Sequence, residues 1–153
     1  MHHRSRTSHQ ARGSSAHDGP ELHIPATSPE QRDRLREYAG QICQSRDLRE
    51  RSFDHNMFGE PAWDILLVLY TIDGDRRRLN TRELARLANL ALTTALRWLD
   101  FLERRDLIVR KANTFDLRMV DAELSDKGRT AMDNYLLQML GADLFGPIGT
   151  NTG

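Results

Sequence analysis

Between Thr81 and Leu124 the apolar residues change their spacing part-way, and that change limits what the chain can fold into. Leu84, Ala85, Leu87 and Ala88 sit at helical spacing over about 82–88, the tight connection Asn89-Leu90-Ala91 follows, and Ala95, Trp98, Leu99 and Leu102 resume a helical stripe over about Leu92 to Arg105. The pattern then becomes that of strands. Leu107-Ile108-Val109-Arg110-Lys111 and Leu117-Arg118-Met119-Val120-Asp121-Ala122-Glu123-Leu124 read as a β-hairpin about the polar turn Ala112 to Asp116. Thr81, with Glu83 behind it, gives the first of these helices a capping signal.

Helices are expected on both sides of this unit. Ser28-Pro29-Glu30 combines an N-cap, a proline at the first helical position and an acid in the first turn. Leu35, Tyr38, Ala39 and Ile42 then follow as an apolar stripe on a helix reaching about Phe53. Asp54-His55-Asn56 breaks it, and Glu60-Pro61 opens a second helix over Ala62 to Ile72. Its Trp63, Ile65, Leu66, Leu67, Leu69 and Tyr70 leave few polar positions, so it is the expected central core helix, ended by Asp73-Gly74-Asp75. Ser125-Asp126-Lys127-Gly128 starts a last helix carrying Met132, Tyr135, Leu136, Met139 and Leu140, with Gly141 as its expected end. The fold class is therefore mainly α with a small β-hairpin. Residues 1–29 hold too few aliphatics to bury and are expected as a disordered arm, residues 30–140 as the folded domain, and residues 141–153 as a flexible tail.

Composition removes several function classes. A chain of 153 residues supports one core rather than a large two-domain enzyme. Its longest apolar run, Ile65 to Tyr70, is far below the roughly 20 residues of a membrane span, and the amino terminus has no apolar h-region, so the expected location is the cytoplasm, with no membrane partner. The single Cys43 excludes an intrachain disulfide and a multi-cysteine zinc site; beside Ile42 on an apolar stripe, it reads as an inert thiol rather than a redox sensor. The arm's histidines have irregular spacing and read as a solvated tail rather than a metal site. Outside the arm the sole histidine is His55, and neither a Gly-rich phosphate loop nor a nucleophile with a base at recognisable spacing occurs. No enzyme, metal or cofactor is expected.

The formal net charge is zero, yet Arg76 to Arg118 holds eleven bases against five acids, leaving the rest of the chain equally acidic. Such a basic segment fits either a local phosphate-binding surface or solvated helix faces.

A short helix, a three-residue turn, a longer helix and a basic hairpin, in that order, make a winged helix-turn-helix, whose second helix enters the DNA major groove. Leu79-Asn80-Thr81-Arg82-Glu83-Leu84-Ala85-Arg86-Leu87-Ala88-Asn89-Leu90, then Thr93-Thr94, Arg97, Asp100, Leu102-Glu103, Leu107-Ile108 and Arg110 carry a further likeness. It continues through Asp116-Leu117-Arg118, an Asp-x-Arg wing tip, to Leu124-Ser125-Asp126-Lys127-Gly128 after the wing. Over about residues 60–130 the sequence thereby resembles the MarR-like family of bacterial transcription regulators. Phe58-Gly59-Glu60-Pro61-Ala62-Trp63-Asp64, with Thr93 to Trp98, is also similar to an alphaproteobacterial branch of winged-helix proteins. The resemblance implies a homodimer joined through its terminal helices, double-stranded DNA as partner, and a small-molecule effector that no residue here identifies.

Several side chains are candidates for the contact. Arg97 leaves the core side two positions after Ala95 and can fork onto guanine O6 and N7. Thr93 and Thr94, in the first turn of that helix, can meet phosphate or thymine, or simply cap the helix, since Ala91 offers no side-chain cap. Thr81 and Arg82 are candidates for a backbone phosphate, as is Arg78 in the cluster Arg76-Arg77-Arg78. In the wing, Arg110, Lys111 and Arg118 flank a tip containing Asn113; the resemblance implies that a wing arginine reaches toward the minor groove and that Asp116 orients Arg118. A surface ion pair is the alternative for Asp116. Leu92 and Leu96 point outward where polar base readers are common, and fit thymine methyls or a protein partner. The stripes Leu35, Tyr38, Ile42 and Tyr135, Leu136, Met139, Leu140 are expected to form an isologous dimer interface, or else to pack within one chain. The expected function is a homodimeric DNA-binding transcription regulator, a repressor, on a pseudo-palindromic operator; the alternative is a winged-helix module that binds a partner protein through the same helix face.

Overall fold

The computed structural model describes residues 27–53, 57–75 and 77–145. Helix α1 (Pro29–Ser52) begins with a capping box: the Ser28 hydroxyl accepts from Gln31 N at 3.2 Å and the Gln31 side chain accepts from Ser28 N at 2.9 Å. Helix α2 (Pro61–Ile72) is the centre of the core, burying Ile65, Leu67, Val68, Leu69 and Tyr70, as its lack of polar positions predicts. A short 3-10 turn, Asp73–Asp75, leads toward strand β1 (Leu79–Asn80) and helix α3 (Thr81–Leu87). Helix α4 (Leu92–Arg104), strands β2 (Ile108–Ala112) and β3 (Val120–Leu124), and helix α5 (Asp126–Phe145) complete the chain.

The three strands form an antiparallel sheet in the order β1-β3-β2, with Leu79 opposite Ala122 and Ile108 opposite Leu124. These four residues turn onto α2 and α4, where Leu84, Leu99 and Leu102 join Tyr70 and Leu67 in one cluster. On the other side of α2, α1 and α5 pack on each other and contribute Leu35, Ala39, Met132 and Leu136. Tyr70 donates its hydroxyl to the buried Asp133 at 2.6 Å, and Arg32 lies 3.3 Å from the same carboxylate, so that acid is not left unpaired in the interior.

Five expectations need correction. The cap of α3 is Asn80, whose side chain accepts from Glu83 N at 2.9 Å, so Thr81 is the first helical residue. Strand β1 adds a third member to the expected hairpin, and β3 starts at Val120 because Leu117 to Met119 belong to the connecting loop. Helix α5 runs past Gly141 to Phe145; among the described residues nothing lies within 4 Å of where a Cβ would stand there, and one interior glycine costs only ~1 kcal/mol of helix stability. Leu35 and Leu136, expected at a dimer interface, are 1% and 0% exposed inside the single chain, since each faces the helix pair it helps to form. Tyr38, Ile42 and Leu140 are partly buried against that same core, which leaves Tyr135 and Met139 as the exposed members of the two stripes.

The expected arm up to residue 26, the break at Asp54-His55-Asn56, Arg76 and the tail from Gly146 lie outside the described residues. Among the described residues no helix is long and apolar enough to cross a membrane.

Candidate nucleic-acid interface

Helices α3 and α4 are joined by a turn whose geometry follows from one residue. Asn89 takes a left-handed backbone, φ 53°, which a short polar side chain tolerates, and Leu90 N then donates back to Ala85 O at 2.8 Å. Asn89 Nδ2 also donates to Glu50 on α1, which ties the turn to the body. The same device ends α4: Asp106 has φ 58°, and Leu107 N donates to Leu102 O at 3.1 Å as the chain enters β2. Helix α4 thus leaves the turn and re-enters the sheet at fixed angles, with Ala95, Leu99 and Leu102 inward.

Its other face is open. Leu92, Thr93, Leu96 and Arg97 are exposed, and Arg97 makes no hydrogen bond or ion pair among the described residues. Ala91 supplies no side-chain cap, so the first amides of α4 remain available at that end. Leu92 and Leu96 line an open cleft of about 590 Å³ together with Asp116, Arg118, Met119 and Val120 of the wing and with Asn80, Thr81, Arg82 and Arg110. Thr94 is not on this cleft; it turns to the other flank, beside Gly59, Pro61 and Leu90.

The basic candidates divide into free and committed groups. Arg82 is exposed and unpaired among the described residues. Thr81 donates its hydroxyl to Val120 O at 3.2 Å, holding β3 against the start of α3. Arg110 folds back onto α4, 2.5 Å from Glu103 and 2.6 Å from Asp100, so it clamps the wing to the helix instead of projecting from it. Arg78 and Lys111 both reach Glu123, at 3.2 and 2.6 Å, and the Lys111 ammonium is the main reason the Glu123 carboxyl lies below its ordinary range; burial opposes it and Arg78 assists. Arg118 remains 91% exposed, with Asp116 Oδ1 accepting from its backbone N at 3.0 Å and its Nε at 3.2 Å. Asn113 does not project either: its Nδ2 donates to both oxygens of the buried Asp121, at 2.9 and 3.0 Å.

Sequence reasoning passed over Phe115, Leu117, Met119 and Val120, all exposed on or beside the wing. The available signal was an aromatic residue set inside a turn otherwise built from Asn113, Thr114 and Asp116. Cys43 is partly buried and lies away from this face; burial first, then Asp47 and Asp64, pushes its thiol up to about 11, so little thiolate is present near neutral pH.

Two helices joined by a tight turn, the second one bare on its outer side and flanked by a projecting hairpin, decide the architecture. The fold is a winged helix-turn-helix. No family model matches the sequence. Over 89 residues the chain is 30% identical to the HTH-type transcriptional repressor YetL of Bacillus subtilis, a match covering 58% of this chain and 52% of that protein. The chain thus spans about half the length of this curated relative. Among solved structures it is similar to S. aureus MepR in its DNA-binding conformation, with 20% identity, a TM-score of 0.47, and coverage of 72% of this chain and 78% of that one. It is also similar to a mutant MarR from E. coli complexed with operator DNA, at 22% identity and a TM-score of 0.46 over 75% and 69% of the two chains.

Proposed function

We propose that this protein is a MarR-like transcription regulator, a repressor acting in the cytoplasm, that binds a pseudo-palindromic DNA site as a homodimer. The observation that carries the reading is the bare outer face of α4: Thr93 and Arg97, which has no partner among the described residues, stand on an exposed helix beside a cleft edged by Arg82 and Arg118. Such a helix fits the major groove, where an arginine can take guanine O6 and N7 together. Leu92 and Leu96 then face thymine methyl groups, which favours A·T pairs beside the guanine. The similarity to a curated HTH-type repressor supports the same reading.

A second reading has its own support. Leu92, Leu96, Met119 and Val120 give the cleft an apolar lining, which suits a protein segment. Ionic strength separates the two. Selection of duplexes from a random pool by the purified protein is expected to yield a two-fold symmetric sequence. Its affinity should fall on the order of 10³-fold between 50 and 200 mM salt if about six phosphates are neutralised. Failure to enrich any sequence, with a salt-insensitive protein partner on the same face, would reject the regulator.

A further inference from the structure

The tip of the wing projects two large apolar side chains. Residues 113–119 form a loop closed by Asn113 N donating to Met119 O at 2.9 Å, and within it Met119 N donates to Asp116 O at 2.9 Å. Asn113 and Asp116 turn their side chains onto the loop's own backbone. Asn113 Oδ1 accepts from Phe115 N at 2.8 Å and from Asp116 N at 3.0 Å, while its amide nitrogen is held by Asp121. Phe115, 100% exposed, and Leu117, 82% exposed, face solvent together with Thr114 and the extended Arg118. A surface turn ordinarily shows its polar groups to water. One exposed apolar side chain would call for no explanation. Two of them, on a loop whose hydrogen bonds fix how they are presented, form a preorganised probe.

That combination, a basic side chain next to a projecting apolar one, is what minor-groove binding proteins use to part stacked base pairs. We propose that Phe115, backed by Leu117, is a wedge that enters a base-pair step from the minor groove at the flank of the bound site, unstacking it and bending the duplex, while Arg118 lies along the groove. The proposal rests on the DNA-binding reading and adds to it a deformation of the DNA. Duplex DNA is favoured over a lipid or protein surface because Arg118 and Arg82 edge the same cleft, and because the segment from Arg76 to Arg118 carries six more bases than acids. Pyrimidine–purine steps open most easily, so the wedge introduces a preference at a position that no polar side chain reads.

The test uses a duplex recovered by selection from a random pool, with 2-aminopurine placed in turn through both flanks. The full-length protein is expected to raise the fluorescence several-fold at one step on each side, and to show a bend in circularly permuted fragments. Phe115→Ala is expected to keep the same footprint, bind roughly 10-fold more weakly, and lose both the fluorescence rise and the bend; Phe115→Trp should restore them. Footprints without unstacking at any step, or unstacking undiminished in Phe115→Ala, would overturn the wedge and leave DNA binding intact. Absence of any footprint for the unaltered protein would remove the DNA-binding reading itself. Attachment to anionic phosphatidylserine vesicles that depends on Phe115, with no unstacking, would assign the tip to a membrane surface and also overturn the proposal.

Discussion

Arg97 and Arg118 are both exposed arginines, but their surroundings give them different work. Arg97 rises from a rigid helix with no partner among the described residues, so its planar fork can be held against one base pair. Arg118 shares its charge with Asp116 at the end of a hairpin, and on the proposed reading it would meet the duplex as a cation. Arg97→Ala is therefore expected to cost ~1–3 kcal/mol on the preferred base and to flatten selectivity at that position. Arg118→Ala should weaken all sequences about equally and lower the salt slope by about one. Sequence-selection profiles and salt titrations of the two variants check this; an Arg97→Ala profile identical to that of the unaltered protein would refute the assignment. Arg110, by contrast, could not be placed from the sequence. Its partners Asp100 and Glu103 lie on the preceding helix, and only the left-handed step at Asp106 turns the chain back toward them.

At the scale of elements, the junction between α4, β2 and α5 leaves no room for a side chain at Gly128. A Cβ on Gly128 would stand 1.9 Å from Leu107 O, the same carbonyl that accepts from Ser125 N at 3.1 Å. Gly128→Ala must push α5 away from the start of the wing, and the expected loss is ~1–3 kcal/mol, outweighing the gain alanine ordinarily gives a helix. Gly40→Ala, in open space on α1, is expected to stabilise by ~0.4–1 kcal/mol. Urea melts of the pair measure both signs. The helices and the hairpin were readable from the sequence because each repeats its period over several residues. Strand β1 was not, since two residues carry no period and it exists through pairing with β3. The α3 cap was misassigned because Asn80 and Thr81 are adjacent residues that can both cap, and the choice falls to whichever keeps extended backbone. The stripes on α1 and α5 were legible as apolar, but periodicity does not say whether the covering surface belongs to the same chain.

For the whole molecule, Tyr135 and Met139 on α5, with Leu48 on α1 and Phe53 just past its end, leave apolar area uncovered by a single chain. We expect a dimer in solution that uses the α5 pair. Met139→Glu is expected to halve the mass seen by light scattering while preserving the helical circular-dichroism spectrum, because its side chain is 38% exposed and lies outside the sealed core. Binding to a two-fold symmetric duplex should weaken far more than binding to a half-site; an unchanged mass would show that another surface joins the copies. Within each copy, one guanidinium pins hairpin to rod through Arg110, Asp100 and Glu103. On the proposed DNA-binding reading, the two grooves would be met by one tied jaw instead of by two independent fingers, so that a helix and a hairpin answer to the same tilt of the body.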